Sequence, residues 1–183
     1  MGEIKKTFPK KLICGLIVSE SVSENDVLSA LERVFGKIDG KSQTTDFSKY
    51  SNYYEKEMGN SLNRFFVSFE RLIMPDEISE IKIKSNDLEF KLSDFETNQK
   101  RKVNIDPGYI GLSKMVVAST KNASYRIYLK NGIYAQPMLW FFKNSFLPYD
   151  WTYPDYKDKA FIGFFNKVRE KYKRQLKENG KNF

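Results

Sequence analysis

The sequence predicts an α+β fold on a mixed, largely antiparallel sheet with about three helices, opening on a strand–helix unit and closing on an amphipathic helix. Three observations carry that expectation. Residues 11–18 form a short apolar run followed at once by a capped helical pattern. Later segments have strand character, two of them joined by Asn131-Gly132. Residues 158–176 carry an apolar stripe at helical spacing, with Lys and Arg between its members.

The first strand is the run Lys11 to Val18, bounded by Pro9 and the polar stretch Ser19–Asn25. Ser23 then caps a helix, with Asp26 three residues on as the acidic partner. Val27, Leu28, Leu31, Val34 and Phe35 repeat at helical spacing until Gly36. From Ser61 to Ile73 the period becomes two, with Phe65, Val67 and Phe69 alternating against Arg64, Ser68 and Glu70. Pro75 suits a first helical turn, and Ile78, Ile81, Ser85, Leu88 and Leu92 continue at helical spacing. The alternation Leu88, Phe90, Leu92 also admits a strand there.

Residues 103–105, 114–119 and 125–130 read as strands, the last turning through Asn131-Gly132 into Ile133–Phe142. A two-residue turn pairs Lys130 with Ile133, Tyr128 with Ala135 and Arg126 with Pro137, placing Arg126, Tyr128 and Lys130 on one face. Pro137 predicts an edge position or a bulge. Phe161, Phe164, Phe165, Val168, Tyr172 and Leu176 form the stripe of the closing helix.

A chain of 183 residues, 40% hydrophobic and 15% aromatic, is long enough to bury a core unaided. It reads as a single domain, 1–183, with residues 1–8 and 177–183 as flexible ends. The chain has no histidine and one cysteine. Zinc, copper and haem sites are therefore disfavoured, no metal ligands are assigned, and a divalent cation such as magnesium is the one cofactor left open. Cys14, inside the first apolar run, packs as a small hydrophobe. With no signal-peptide layout and no apolar run near the roughly 18 residues of a span, a cytoplasmic protein without a membrane partner is expected.

The net charge of +8 sits at the ends: residues 1–11 carry +3 and residues 157–183 carry +6, leaving about −1 between them. A basic terminal helix is more often a solvated face than a nucleic-acid grip, and no nucleic-acid-binding motif accompanies it. Gly36-Lys37-Ile38-Asp39-Gly40-Lys41-Ser42 is one residue short of a phosphate loop and follows a helix rather than a strand, so it is read as a helix stop and loop.

Polar groups gather at predicted strand ends and on one helix. Asn104 and Asp106 precede Pro107-Gly108, read as a turn, where scaffolds commonly present functional side chains. Ser119-Thr120-Lys121-Asn122 is a turn rich in donors near Arg126 and Tyr128, suited to gripping an anion. Lys82, Asn86 and Glu89 form a polar stripe on the second helix. Glu55 and Glu57 share a direction only on an extended segment, where they would hold a cation or share a proton. Asp150–Tyr156 is a dense aromatic and acidic segment before the closing helix: as structure a packed loop with a helix entry, as function a lid or stacking platform.

The strings Tyr53–Gly59, Asn104–Tyr109, Ser119–Asn122, Arg126–Leu129, Gly132–Ala135 and Trp151–Tyr156 resemble a prokaryotic family of domains of unknown function. Some of its members, one from Thermotoga among them, carry the label "GTP-binding regulator". The resemblance spans nearly the whole chain and transfers no catalytic residue. Two positions depart from it: Gln136 stands where an acid is expected and Tyr125 where a histidine is expected.

The leading reading is a ligand-binding domain, regulatory by extension, for a small anionic ligand such as a nucleotide. Its candidate residues are Asn104, Asp106, Lys121, Arg126, Tyr128, Lys82, Asn86 and Glu57. One alternative is a hydrolase or transferase using a divalent ion on Asp106, Glu55 or Glu57 against a phosphate-containing substrate. The other is weak binding of nucleic acid or an acidic partner through the basic ends.

Overall fold

A computed structural model of the chain describes residues 2–4, 6–93 and 101–180. Positions 1, 5 and 181–183, within the ends expected to be flexible, lie outside the described residues. The strands are β1 (Lys10–Ser19), β2 (Ile38–Lys41), β3 (Thr45–Asp46), β4 (Leu62–Ile73), β5 (Val103–Ile110), β6 (Lys114–Ser119), β7 (Ile127–Lys130), β8 (Ile133–Phe142) and β9 (Ser145–Pro148). The helices are α1 (Glu24–Phe35), the single-turn α2 (Glu55–Met58), α3 (Ile78–Lys91) and α4 (Lys159–Glu178). Every described pairing is antiparallel, in the order β2-β4-β1-β5-β6-β8-β7, with β3 also on β4 and β9 also on β8.

The sheet is covered on both faces, which is why β1 and much of β4 are apolar without a break. Leu12, Cys14, Leu16 and Val18 join Phe65, Val67 and Phe69 beneath α1 and α3. Ile13 and Phe66 face the other way, under α4. Phe66 meets Tyr156, Phe161 and Phe165 edge-on at 4.8–4.9 Å between ring centres. The α4 stripe is buried as expected, at Phe161, Phe165, Val168, Tyr172 and Leu176. Ser23 accepts from the Asp26 N–H and caps α1. Residues 75–91 are helical, beginning with a 3-10 turn at Pro75–Glu77. No described helix is long and apolar enough to cross a membrane.

Four local expectations are corrected. Residues 38–41 form an edge strand on β4 rather than a loop. Asp39 holds it there, bonded to the buried Lys11 ammonium at 2.6 Å and to the Ser68 hydroxyl at 2.7 Å. Glu55 and Glu57 lie on α2, not on an extended segment, so they do not point the same way. Pro107-Gly108 is no turn: β5 runs straight through it. The absent side chain of Gly108 makes this feasible, because a Cβ there would lie 2.4 Å from the Val116 carbonyl oxygen.

The hairpin register is the fourth. Asn131 and Gly132 have φ of 54° and 74°, as a type I′ turn requires, and Lys130 pairs with Ile133. A bulge at Leu129 then sets Tyr128 against Tyr134 and Ile127 against Ala135, and Arg126 falls outside the strand. The irregularity near Pro137 is present: the β6–β8 register shifts between Met115 and Val116, and Val116 faces Pro137.

Candidate functional site

The site begins where the sheet comes apart. β5 and β6 are paired across Gly108–Ile110, and upstream of Pro107 no strand of the described residues lies beside that edge of β5. Such an edge leaves backbone groups that must find partners elsewhere. Side chains of α3 take that role at Ile105. Its N–H donates to Glu89 Oε1 at 2.6 Å, and its carbonyl oxygen accepts from Lys82 Nζ at 2.7 Å. The helical spacing of Lys82 and Glu89 places both on the face turned to that edge.

The gap is a cavity of about 430 Å³, within the range of small-molecule sites. Arg64, Ile17, Asn104 and Asp106 line one side of it; in register Ile17 faces Arg64 on one side and Asn104 on the other. Lys82, Asn86 and Glu89 of α3, with Arg101, line another. Tyr53 and Tyr54 come from the segment before α2, Ser119–Lys121 and Arg126 from the end of β6 and beyond, and Tyr153–Asp155 from the segment before α4.

Arg64 is buried at 1% exposure. Its guanidinium passes over Gly15, where a Cβ would come within 3.0 Å of both terminal nitrogens. It pairs with Asp155 at 2.6 Å and stacks over Phe66 at 4.2 Å. Among the described residues, Arg64 Nε and Nη1, Arg101 Nε and Gln136 Nε2 are buried donors without an acceptor. Arg101 reaches Asn104 Oδ1 at 3.1 Å, Glu89 at 3.3 Å and Glu57 at 2.9 Å. Burial pushes the Glu89 carboxyl above its ordinary pKa, against the opposing pull of Lys82 and the Ile105 N–H. Lys82 also lies 3.6 Å from Asp106, whose other oxygen accepts from Asn104 Nδ2.

The remaining two cations are held differently. Lys121 Nζ donates to Tyr53 Oη at 2.8 Å, and the ammonium draws that phenol below its usual pKa. Arg126 donates to Gln136 Oε1 at 2.8 Å, to the Lys121 carbonyl at 2.6 Å and to Tyr153 Oη. Among the described residues neither cation has a carboxylate at ion-pair distance. Beside them, Trp151 stacks between Tyr125 and Tyr149, with ring centres 5.5 and 4.8 Å away, and donates to the Pro137 carbonyl.

Of the residues singled out from sequence, Lys82, Asn86, Asn104, Asp106, Lys121 and Arg126 line this one cavity. Glu57 stands outside the lining and touches it through Arg101. Tyr128 is not brought to it: the Leu129 bulge leaves its ring against Tyr134, 57% exposed. Sequence reasoning missed Arg64, Arg101, Tyr53 and Asp155 as cavity residues. Arg64 had a signal, as a cation directly before the apolar run Phe65–Val67 of β4; Arg101 had none.

A family model described as a domain of unknown function, DUF4416, matches residues 8–172. The chain belongs to this family. No curated protein and no solved structure matches it. In this DUF4416 chain, five of the six strings that carried the resemblance contribute to the cavity, Gly132–Ala135 being the exception. Gln136, found where an acid was expected, is the neutral acceptor of Arg126. Tyr125, found where a histidine was expected, is one of the two rings that flank Trp151.

Proposed function

We propose that this DUF4416 domain binds a small anionic ligand, such as a nucleotide, in the cavity at the β5–β6 fork, and that its role is regulatory. One observation carries the reading. Five cationic side chains line the cavity against three carboxylates, and the surplus falls on Lys121 and Arg126, which face neutral oxygens alone among the described residues. An anion placed there gains charge-assisted hydrogen bonds without displacing a resident acid. The carboxylates favour this reading over a metal-dependent hydrolase, because Asp155, Glu89 and Asp106 already face Arg64, Arg101 and Lys82. The terminal charge is also partly committed: Lys11 is buried on Asp39, and Arg169 donates to the Leu112 carbonyl with its guanidinium over Phe141.

A thermal-shift panel of nucleotides, GTP included, and phosphate metabolites tests it. A ligand at about a hundred times its Kd adds roughly 2.7 kcal/mol, which is a rise of about 5–10 °C for a domain of this size. If no member moves the melting point of the folded protein, the reading is wrong.

A further inference from the structure

Resting on that reading, we infer the class of ligand: a phosphate monoester joined to a flat ring, its phosphate on the Ser119–Lys121 turn and Arg126, its ring against Tyr53. The argument starts from charge. The cations on the sheet and α3 side are paired with Asp155, Glu89 and Asp106, so the charge available to a ligand is that of Lys121 and Arg126. A phosphate monoester carries about −1.5 to −2 at neutral pH and offers three acceptor oxygens. That charge matches two cations. A monocarboxylate leaves one of them uncompensated, whereas a triphosphate brings roughly twice the needed charge to a cavity that also holds three carboxylates. Ser119 and Thr120 line the same cavity, the Ser119 oxygen accepting from the Lys121 N–H, and a hydroxyl is the kind of neutral donor that phosphate oxygens accept from.

The ring follows from Tyr53. It is 66% exposed at the cavity edge, an aromatic surface that water covers poorly. Its plane is not free to turn away. Lys121 pins the hydroxyl, the Lys121 ammonium lies 5.1 Å from the ring centre, and Tyr54 meets it edge-on at 4.9 Å. The residue that ties down the phosphate-side lysine is therefore the one that presents a flat face, so head and ring are read by adjoining groups. Asn86 lines the same cavity and offers an amide to the edge of a ring, whereas Asn104 and Asp106, also in the lining, are bonded to each other and to Arg101 and Lys82.

Titration calorimetry with AMP and GMP, each compared with its nucleoside, its triphosphate, ribose 5-phosphate and inorganic phosphate, decides the matter. The monophosphate is expected to bind at least about tenfold tighter than the triphosphate and than ribose 5-phosphate. Lys121→Ala and Tyr53→Ala, both at exposed positions, should each weaken it about tenfold, with unchanged melting points in the absence of ligand. If a triphosphate or a phosphate without the flat base binds as tightly, the class is wrong while anion binding stands. If none of these probes binds and the wider panel is also silent, both fail.

Discussion

Replacing Asp39 by Ala should be among the most damaging changes available outside the apolar core. The Lys11 ammonium it meets is fully buried and Asp39 itself is 10% exposed. Without the carboxylate, the one partner left to Lys11 among the described residues is the Gln175 side-chain oxygen at 2.8 Å, and Ser68 loses its acceptor. Breaking a buried pair by removing one partner costs about 3–5 kcal/mol, or a fall of about 6–20 °C in Tm for a domain of this size. Thermal and urea unfolding measure it directly. Lys11→Met with Asp39→Leu should recover most of the loss, since no unpaired buried charge remains: Lys171, the second cation at the Asp39 carboxylate, is a third exposed and still donates to the Asp39 carbonyl. An Asp39→Ala variant within about 1 kcal/mol of the parent, the worth of an exposed pair, would refute the reasoning, as would a double variant no better than the single one. The pH dependence has a definite sign. Burial opposes ionisation of Asp39, but Lys11 and Ser68 outweigh it and hold the carboxyl below its ordinary range. The stabilisation is therefore complete above the unfolded carboxylate pKa of about 3.9 and is lost as pH falls through the lower folded value. The gap between parent and Asp39→Ala should narrow in acid.

Gly108→Ala forces a Cβ to within 2.4 Å of the Val116 carbonyl oxygen, so the short β5–β6 ladder must open; a loss of about 3 kcal/mol in urea unfolding is expected, and a neutral result would mean the strands do not approach as described. Cys14 is fully buried, and burial pushes its thiol well above the ordinary range; in the native state it should react with a thiol reagent only at the rate of unfolding, and fast stoichiometric labelling of folded protein would contradict that.

The sheet was largely legible because periodicity reports burial. The run 11–18 and the stripe of α4 each carry a pattern that one environment explains. β4 was harder: its polar-side positions Arg64, Phe66 and Ser68 are buried too, because α4 covers the face that alternation assigns to solvent. Residues 38–41 gave no pattern at all, since an edge strand of four residues is held by Asp39 rather than by its own apolar content. The cavity was legible in its polar residue types, Lys82, Asn104, Asp106, Lys121 and Arg126, which come from separate elements. What joined them was invisible. It depends on β6 leaving β5 at Pro107, and sequence reads that proline as a turn rather than as the last point of a fork. The Leu129 bulge that turns Tyr128 away has no local signal either.

The bonds from α3 to Ile105 have a consequence for how this molecule opens. An amide held by a neighbouring strand exchanges its hydrogen only when the sheet itself breaks, but the Ile105 N–H is held by a carboxylate on a helix. Release of one turn of α3 is enough to free it, with β1 and β5 still paired through Leu16. The centre of the sheet thus contains a position whose protection belongs to the helix, a low-energy opening set inside a high-energy unit. Since the same Glu89 faces Arg101 and the same Lys82 faces Asp106, that opening and the state of the cavity are one event, and the exchange rate at a single backbone amide follows both.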